Sequence, residues 1–82
     1  MEDSVYTKHA LDMLRERKVK DEWVRMTMAA PERKEQKEDG TVDFIRPIEE
    51  FDNRYLRVAV NPNARPQLII TVFFDRRLGR KA

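Results

Sequence analysis

The chain has 82 residues, of which 39% are charged and 40% hydrophobic, with no cysteine, one histidine and a formal net charge of +2. That length holds one domain. Without cysteine there are no disulfides or thiolate metal sites, which fits a reducing compartment, and a lone histidine argues against zinc.

No apolar run approaches the ~20 residues of a membrane span. The acidic, polar start Met1-Glu2-Asp3-Ser4 is unlike a signal peptide. The expected location is the cytoplasm, with no membrane partner, no cofactor and no metal. The small net charge hides an asymmetry. Residues 1–53 carry 10 Lys/Arg against 14 Asp/Glu, and residues 54–82 carry 7 Lys/Arg against the single acid Asp75. Such a split points to an anionic partner for the second part of the chain. Six of its seven cations are arginine, whose planar fork of donors matches phosphate and stacks on bases.

In chain order, Ser4 is read as part of a frayed N-terminus and Thr7 as the N-cap of a first helix to about Arg17. Ala10, Met13, Leu14 and Arg17 fall on one stripe at helical spacing. Asp21 is read as the N-cap of a second helix, over about 21–30, with Trp23, Val24, Thr27 and Met28 inward. Pro31 disfavours helical geometry at Ala30 and ends it. So short a link makes the two helices a hairpin. The polar run 32–38 before Asp39-Gly40 predicts an edge strand and a tight turn, since Asp-Gly favours hairpins and lysines protect edges. Strands follow over 41–46, 54–61 and 67–74, and Pro47 is expected to end pairing in the first of them. Residues 54–61 alternate, with Leu56, Val58 and Val60 on one face and Tyr55, Arg57, Ala59 and Asn61 on the other. Residues 67–74 are so apolar that they predict a central strand buried on both faces. There Leu68, Ile70, Val72 and Phe74 share one face. A basic tail over 75–82 closes the chain. The expected fold is α+β: an N-terminal helical hairpin packed on a twisted antiparallel sheet of three to four strands.

A glycine-rich phosphate loop and a cysteine nucleophile are both missing, since the only glycines are Gly40 and Gly79. The candidate chemistry therefore rests on arginines. Tyr55 and Arg57, side by side on the face away from the helices, suit base stacking and phosphate binding. Arg76 and Arg77 leave the last strand within reach of that face, and Arg54, Arg65, Arg80 and Lys81 add charge. His9, in the first turn of helix 1, is the candidate base for a ribose hydroxyl proton. The competing reading is an ordinary solvated sheet face with a basic tail.

Tyr6-Thr-Lys-His9-Ala10, Met13, Arg15-Glu-Arg17-Lys-Val19, Trp23-Val24 and Pro31 resemble the opening of the domain-of-unknown-function family numbered 4258. Arg54-Tyr-Leu-Arg57-Val-Ala-Val and Ile70-Thr-Val-Phe-Phe-Asp75-Arg76-Arg77 resemble its closing strands. The order of these segments carries the resemblance. That family is similar to the BrnT and RelE/ParE toxins. The resemblance implies a cytoplasmic toxin of a toxin–antitoxin pair, binding RNA or the ribosome, neutralised by an acidic antitoxin and acting as a metal-independent endoribonuclease. His9, Arg57 and Arg76 would form the catalytic set. RNA would be held by Arg54, Tyr55, Arg57, Arg65, Arg76, Arg77, Arg80 and Lys81. The alternative is a non-catalytic nucleic-acid- or protein-binding module of the same fold.

Overall fold

The computed structural model describes residues 4–78. Its elements are β1 (Ser4–Tyr6), α1 (Lys8–Arg17), α2 (Asp21–Ala29), β2 (Arg33–Gln36), β3 (Val42–Ile48), a 3₁₀ turn (Glu49–Phe51), β4 (Arg54–Asn61) and β5 (Gln67–Phe74). The fold is α+β as expected, but among the described residues the sheet has five strands in the order β1-β5-β4-β3-β2, and β1 pairs with β5 in parallel. The sheet is therefore mixed rather than antiparallel. A strand comes first among the described residues, and the two helices after it do not form the clear hairpin expected: α1 packs mainly on β5, and α2 on β4 and β3.

Ser4 accordingly lies in a strand opposite Gln67. Thr7 ties β1 to α1. Its backbone N–H donates to the Ile69 carbonyl at 3.0 Å, and its hydroxyl both donates to the Ile70 carbonyl and accepts the Ala10 N–H at 3.1 Å. One threonine thus caps the helix and fixes where the helix leaves the sheet. At the other end of α1, Lys18 takes a left-handed conformation with φ 56°, and its N–H closes on the Arg15 carbonyl. The N-cap position of α2 belongs to Lys20, not to Asp21. Asp21 sits in the first turn, where its negative charge suits the helix dipole. There it accepts from the Tyr6 hydroxyl and from Arg25. Burial and this carboxylate both raise the Tyr6 pKa, so the phenol stays a donor.

The core lies between the helices and one sheet face. Ala10 and Leu14 from α1, Val19 from the link, and Trp23 and Val24 from α2 pack on Ile48, Leu56, Val58, Val60, Ile69 and Val72. In β5 the even-numbered apolar set expected on one face does not hold together. Thr71 stands opposite Ala59, yet Ile69 stands opposite Val60. Ile70 is the extra residue of a β-bulge, and beyond it the side-chain alternation changes face. Ile69 thereby joins Val72 and Phe74 in the core. The centre of the sheet is β4, and Leu68, Ile70, Thr71 and Phe73 of β5 are only half-buried.

The polar run does form an edge strand, and the hairpin turns at Gly40, whose φ of +91° is open to glycine at little cost. The Thr41 N–H donates to the Asp39 carboxylate within that turn. Pairing in β3 continues through Pro47, which stands opposite Tyr55. The β2 ladder ends at Ile45, so at Pro47 the strand has a neighbour on one side only, the setting in which a sheet tolerates proline.

Candidate nucleic-acid interface

The sheet face away from the helices carries Tyr55, Arg57, Ala59, Asp43, Ile45, Glu35 and Asp75. This follows from the register, in which Ile45 stands opposite Arg57 and Glu35 opposite Asp43. The Asp75 N–H, donating to the Tyr55 carbonyl at 2.9 Å, extends the β4–β5 ladder by one step. Arg57 is not open to solvent there: it is 7% exposed, and Asp43 and Asp75 are 5% exposed. Its guanidinium donates to Asp43 at 2.7 Å, to Glu35 at 3.0 Å and to Asp75 at 3.0 Å. Burial by itself lowers the Arg57 pKa. The hydrogen bonds to Asp43, Glu35 and Asp75 outweigh that and raise it, so the cation is fixed. Burial pushes the Asp75 pKa up, but hydrogen bonds from Arg77 and Arg57 hold it below the ordinary carboxylate value. Hydrogen bonding from Arg57 likewise lowers the Glu35 pKa.

Arg57 is therefore the hub of an ion-pair network drawing acids from three other segments. Lys37 approaches Asp43 at 3.6 Å, and Arg77 approaches Asp75 at 3.3 Å. A guanidinium has five N–H donors; in Arg57, Nη1 donates to both Asp43 and Glu35, and Nε and Nη2 both approach Asp75. Tyr55, beside it, is half-buried and donates to Glu32 at 3.4 Å, which raises its pKa and keeps it protonated.

A different set of arginines stays open. At the end of the sheet where β5 stops and β4 starts there is a cleft of about 680 Å³, lined by Arg17, Arg54 and Arg76. All three are exposed, and among the described residues none of them forms an ion pair. Glu16 and Asp52 also line the cleft. Its apolar wall is Phe51 and Phe74. Phe51 lies 4.9 Å from Phe74 and stacks on Trp23 at 5.5 Å, centroid to centroid. The Arg54 guanidinium sits over the Phe51 ring at 5.0 Å, a cation–π contact.

Local structure explains why Phe51 and Arg54 meet. Glu50 accepts from Trp23 Nε1 at 2.6 Å and from Lys20 Nζ at 3.0 Å, which pins the 3₁₀ turn against α2. Asp52 and Asn53 both take positive φ, 57° and 58°, values that these two residue types adopt more readily than most. The chain reverses on them and brings Arg54 back over the ring that precedes it.

The residues singled out in the sequence are thus dispersed. Arg54 and Arg76 share the cleft. Arg57 is enclosed on the opposite sheet face, and Arg77, next to it, is engaged by Asp75. His9 is exposed at the start of α1, while Arg17 at its end reaches the cleft; by helical rise the two are roughly 12 Å apart. Arg65 lies in the β4–β5 connection at the far end of β4 from Arg54, roughly 24 Å away by strand rise. Arg80 and Lys81 fall outside the described residues. His9, Arg57 and Arg76 do not form one constellation. Arg17, which falls on the stripe of the first helix, and Phe51 were not among the candidates expected from the sequence. An aromatic three residues before Arg54, in a turn of acids and Asn, was the available signal for the second. Among the described residues no cluster of His, Cys, Asp or Glu is arranged to hold a metal ion, and no helix is long and apolar enough to cross a membrane.

Fold and site together define a small α+β domain with a buried charged network on its open sheet face and an arginine-lined cleft at one end. The chain belongs to the family described as Domain of unknown function (DUF4258), whose model matches residues 6–74. No curated protein and no solved structure matches it.

Proposed function

We propose that this domain binds RNA at the Arg17/Arg54/Arg76 cleft, as the RNA-directed member of a toxin–antitoxin pair similar to the BrnT and RelE/ParE toxins. The observation that carries the reading is the convergence of three exposed arginines, from α1, β4 and the segment after β5, on one cleft without ion-pair partners among the described residues. Arginines without carboxylate partners give up no internal ion pair when they bind phosphate, and their forks take its oxygens in pairs. Arg57, by contrast, would have to leave three carboxylates.

Binding is the first claim and cleavage the second. Of the three catalytic candidates only Arg76 lies at the cleft. It can stabilise charge on a phosphate under attack by a ribose 2′-hydroxyl. Controlled expression in bacteria separates the two claims. Growth arrest with loss of bulk mRNA, abolished by Arg76→Ala, marks a nuclease. Normal growth and intact mRNA, with salt-sensitive RNA binding by the purified protein, mark a non-catalytic module of the same fold. Absence of RNA binding at low salt removes both.

One further observation favours a protein partner in addition. β2 is an edge strand with exposed Arg33 and Lys34. An acidic antitoxin segment would add to it as a sixth strand, main-chain bonds giving affinity and the basic side chains orientation.

A further inference from the structure

Phosphate binding alone does not require an aromatic wall, yet Phe51 lines the cleft together with its cations. It is 37% exposed, one of the few large apolar side chains left so open. It is held on the Trp23 ring, and it is in contact with the Arg54 guanidinium. Trp23, Phe51 and Arg54 thus form a chain of flat groups that ends in the cleft, whose lining also includes Arg76 and Arg17. Bases in RNA–protein complexes are held on aromatic rings and on guanidinium planes. Inside a duplex both faces of a base are already stacked, so only an unpaired base can occupy such a seat. A cleft of about 680 Å³ is of the size that holds a small organic ligand rather than the side of a double helix.

We infer that the cleft takes an unpaired nucleotide of single-stranded RNA, its base stacked on the Arg54 guanidinium and against the exposed part of Phe51, with its flanking phosphates on Arg76 and Arg17. The inference rests on the RNA-binding reading above and deepens it, since it names which form of RNA is bound and what discriminates it. Phe51 supplies contact with the base, and Arg76 and Arg17 supply contact with the backbone. The two contributions differ in their response to salt. Counterion release scales with the phosphates neutralised, whereas base stacking is indifferent to it.

The test is a fluorescence-anisotropy titration of the full chain with four probes: a labelled single-stranded RNA, an RNA duplex of the same length, an abasic single strand of the same charge, and inorganic polyphosphate as competitor. The wild type is expected to prefer the single strand over the duplex and to bind the abasic strand roughly 5- to 150-fold more weakly, the worth of one stacked base (about 1–3 kcal/mol). Phe51→Leu keeps an apolar side chain on Trp23. It is expected to lose affinity for the single strand by the same factor, with the salt slope and polyphosphate competition unchanged. Arg76→Gln should weaken all probes and flatten the slope. Equal binding of the abasic and base-bearing strands overturns the inference, and that comparison needs no variant. So does a duplex that binds as tightly as the single strand, or a Phe51→Leu chain that is folded by circular dichroism and binds RNA as the wild type does. In each of these cases a salt-dependent, Arg76-dependent affinity would leave the RNA-binding reading standing. A wild type that binds none of the probes ends both.

Discussion

Arg54 and Arg57 lie on the same strand, and they face opposite fates. Arg57 sits in the middle of the sheet, enclosed by Asp43, Glu35 and Asp75, at 7% exposure. Arg54 sits at the strand's end in a solvent-open cleft, held by an aromatic ring, with no carboxylate paired to it among the described residues. The difference teaches that the charge of a strand does not locate its binding surface. An arginine becomes available to a ligand where the neighbouring strands fail to supply acids, and it becomes a structural member where they supply them. The basic second part of the chain is thus divided between an internal role and an external one.

The largest expected effect comes from breaking the internal side of this contrast. Arg57→Met removes the cation and leaves buried Asp43 and Asp75 without it. Loss of one partner from a buried ion-pair network costs about 3–5 kcal/mol, a large part of the 5–15 kcal/mol that holds an average domain together. Urea denaturation should show a strongly lowered midpoint. A midpoint within the error of the wild type would mean that the network contributes nothing to the fold.

Next is the external side. Arg54→Gln with Arg76→Gln should leave the urea midpoint nearly unchanged, within about 0.5 kcal/mol, as for surface substitutions. The same variant should weaken single-stranded RNA binding by about 1.5–3 kcal/mol per charged hydrogen bond lost. Its log–log salt slope should become shallower by roughly 0.7, the share of the one phosphate contact made by Arg76. Unchanged affinity and slope would move the interface elsewhere on the molecule.

A third and smaller effect is pH-dependent, and the buried network contributes to it. The folded-state pKa values of Asp75 and Glu35 are lowered, the first by hydrogen bonds from Arg77 and Arg57 that exceed the effect of burial, the second mainly by the hydrogen bond from Arg57. Their unfolded values, near 4, are therefore higher. As pH falls the unfolded chain takes up protons first. The stabilisation is complete above about pH 4 and is lost as pH drops through the folded values. Urea midpoints measured down the acid limb should fall for the wild type, and they should fall less steeply for Asp75→Asn, in which one of these carboxylates no longer titrates.

The smallest effect is expected at His9, which is exposed and remote from the cleft. His9→Ala should change stability by no more than about 0.5 kcal/mol and leave RNA affinity as it is. Loss of RNA cleavage in this variant alone, with binding intact, would return His9 to the chemistry and require it to meet the cleft in a complex.

Part of this organisation was legible in the residues. The bounds of β4 and β5, the Thr7 cap, the inward Ala10 and Leu14 of the first helix and the hairpin at Asp39-Gly40 each follow from a period or a turn preference that acts over a few residues, and each is found in the structure. β1 was not legible. Three residues are too few to carry a period, and the partner that makes them a strand, β5, lies some sixty positions away. The same is true of the bulge at Ile70, which reassigns Ile69 to the core through pairing with β4.

The candidate site divides along the same line. By itself the sequence determined that cations, mostly arginines, concentrate after residue 53 and that Tyr55 and Arg57 point away from the helices, because composition and strand alternation are local properties. Only the tertiary structure decided which arginines are spent. Glu35, Asp43 and Asp75 come from separate segments and meet at Arg57 through strand register. Arg17, Phe51, Arg54 and Arg76 meet through the ends of a helix, a turn and two strands. An ionic group's partners are set by distance in space, and in this chain the residues that neutralise or expose each arginine are distant in sequence.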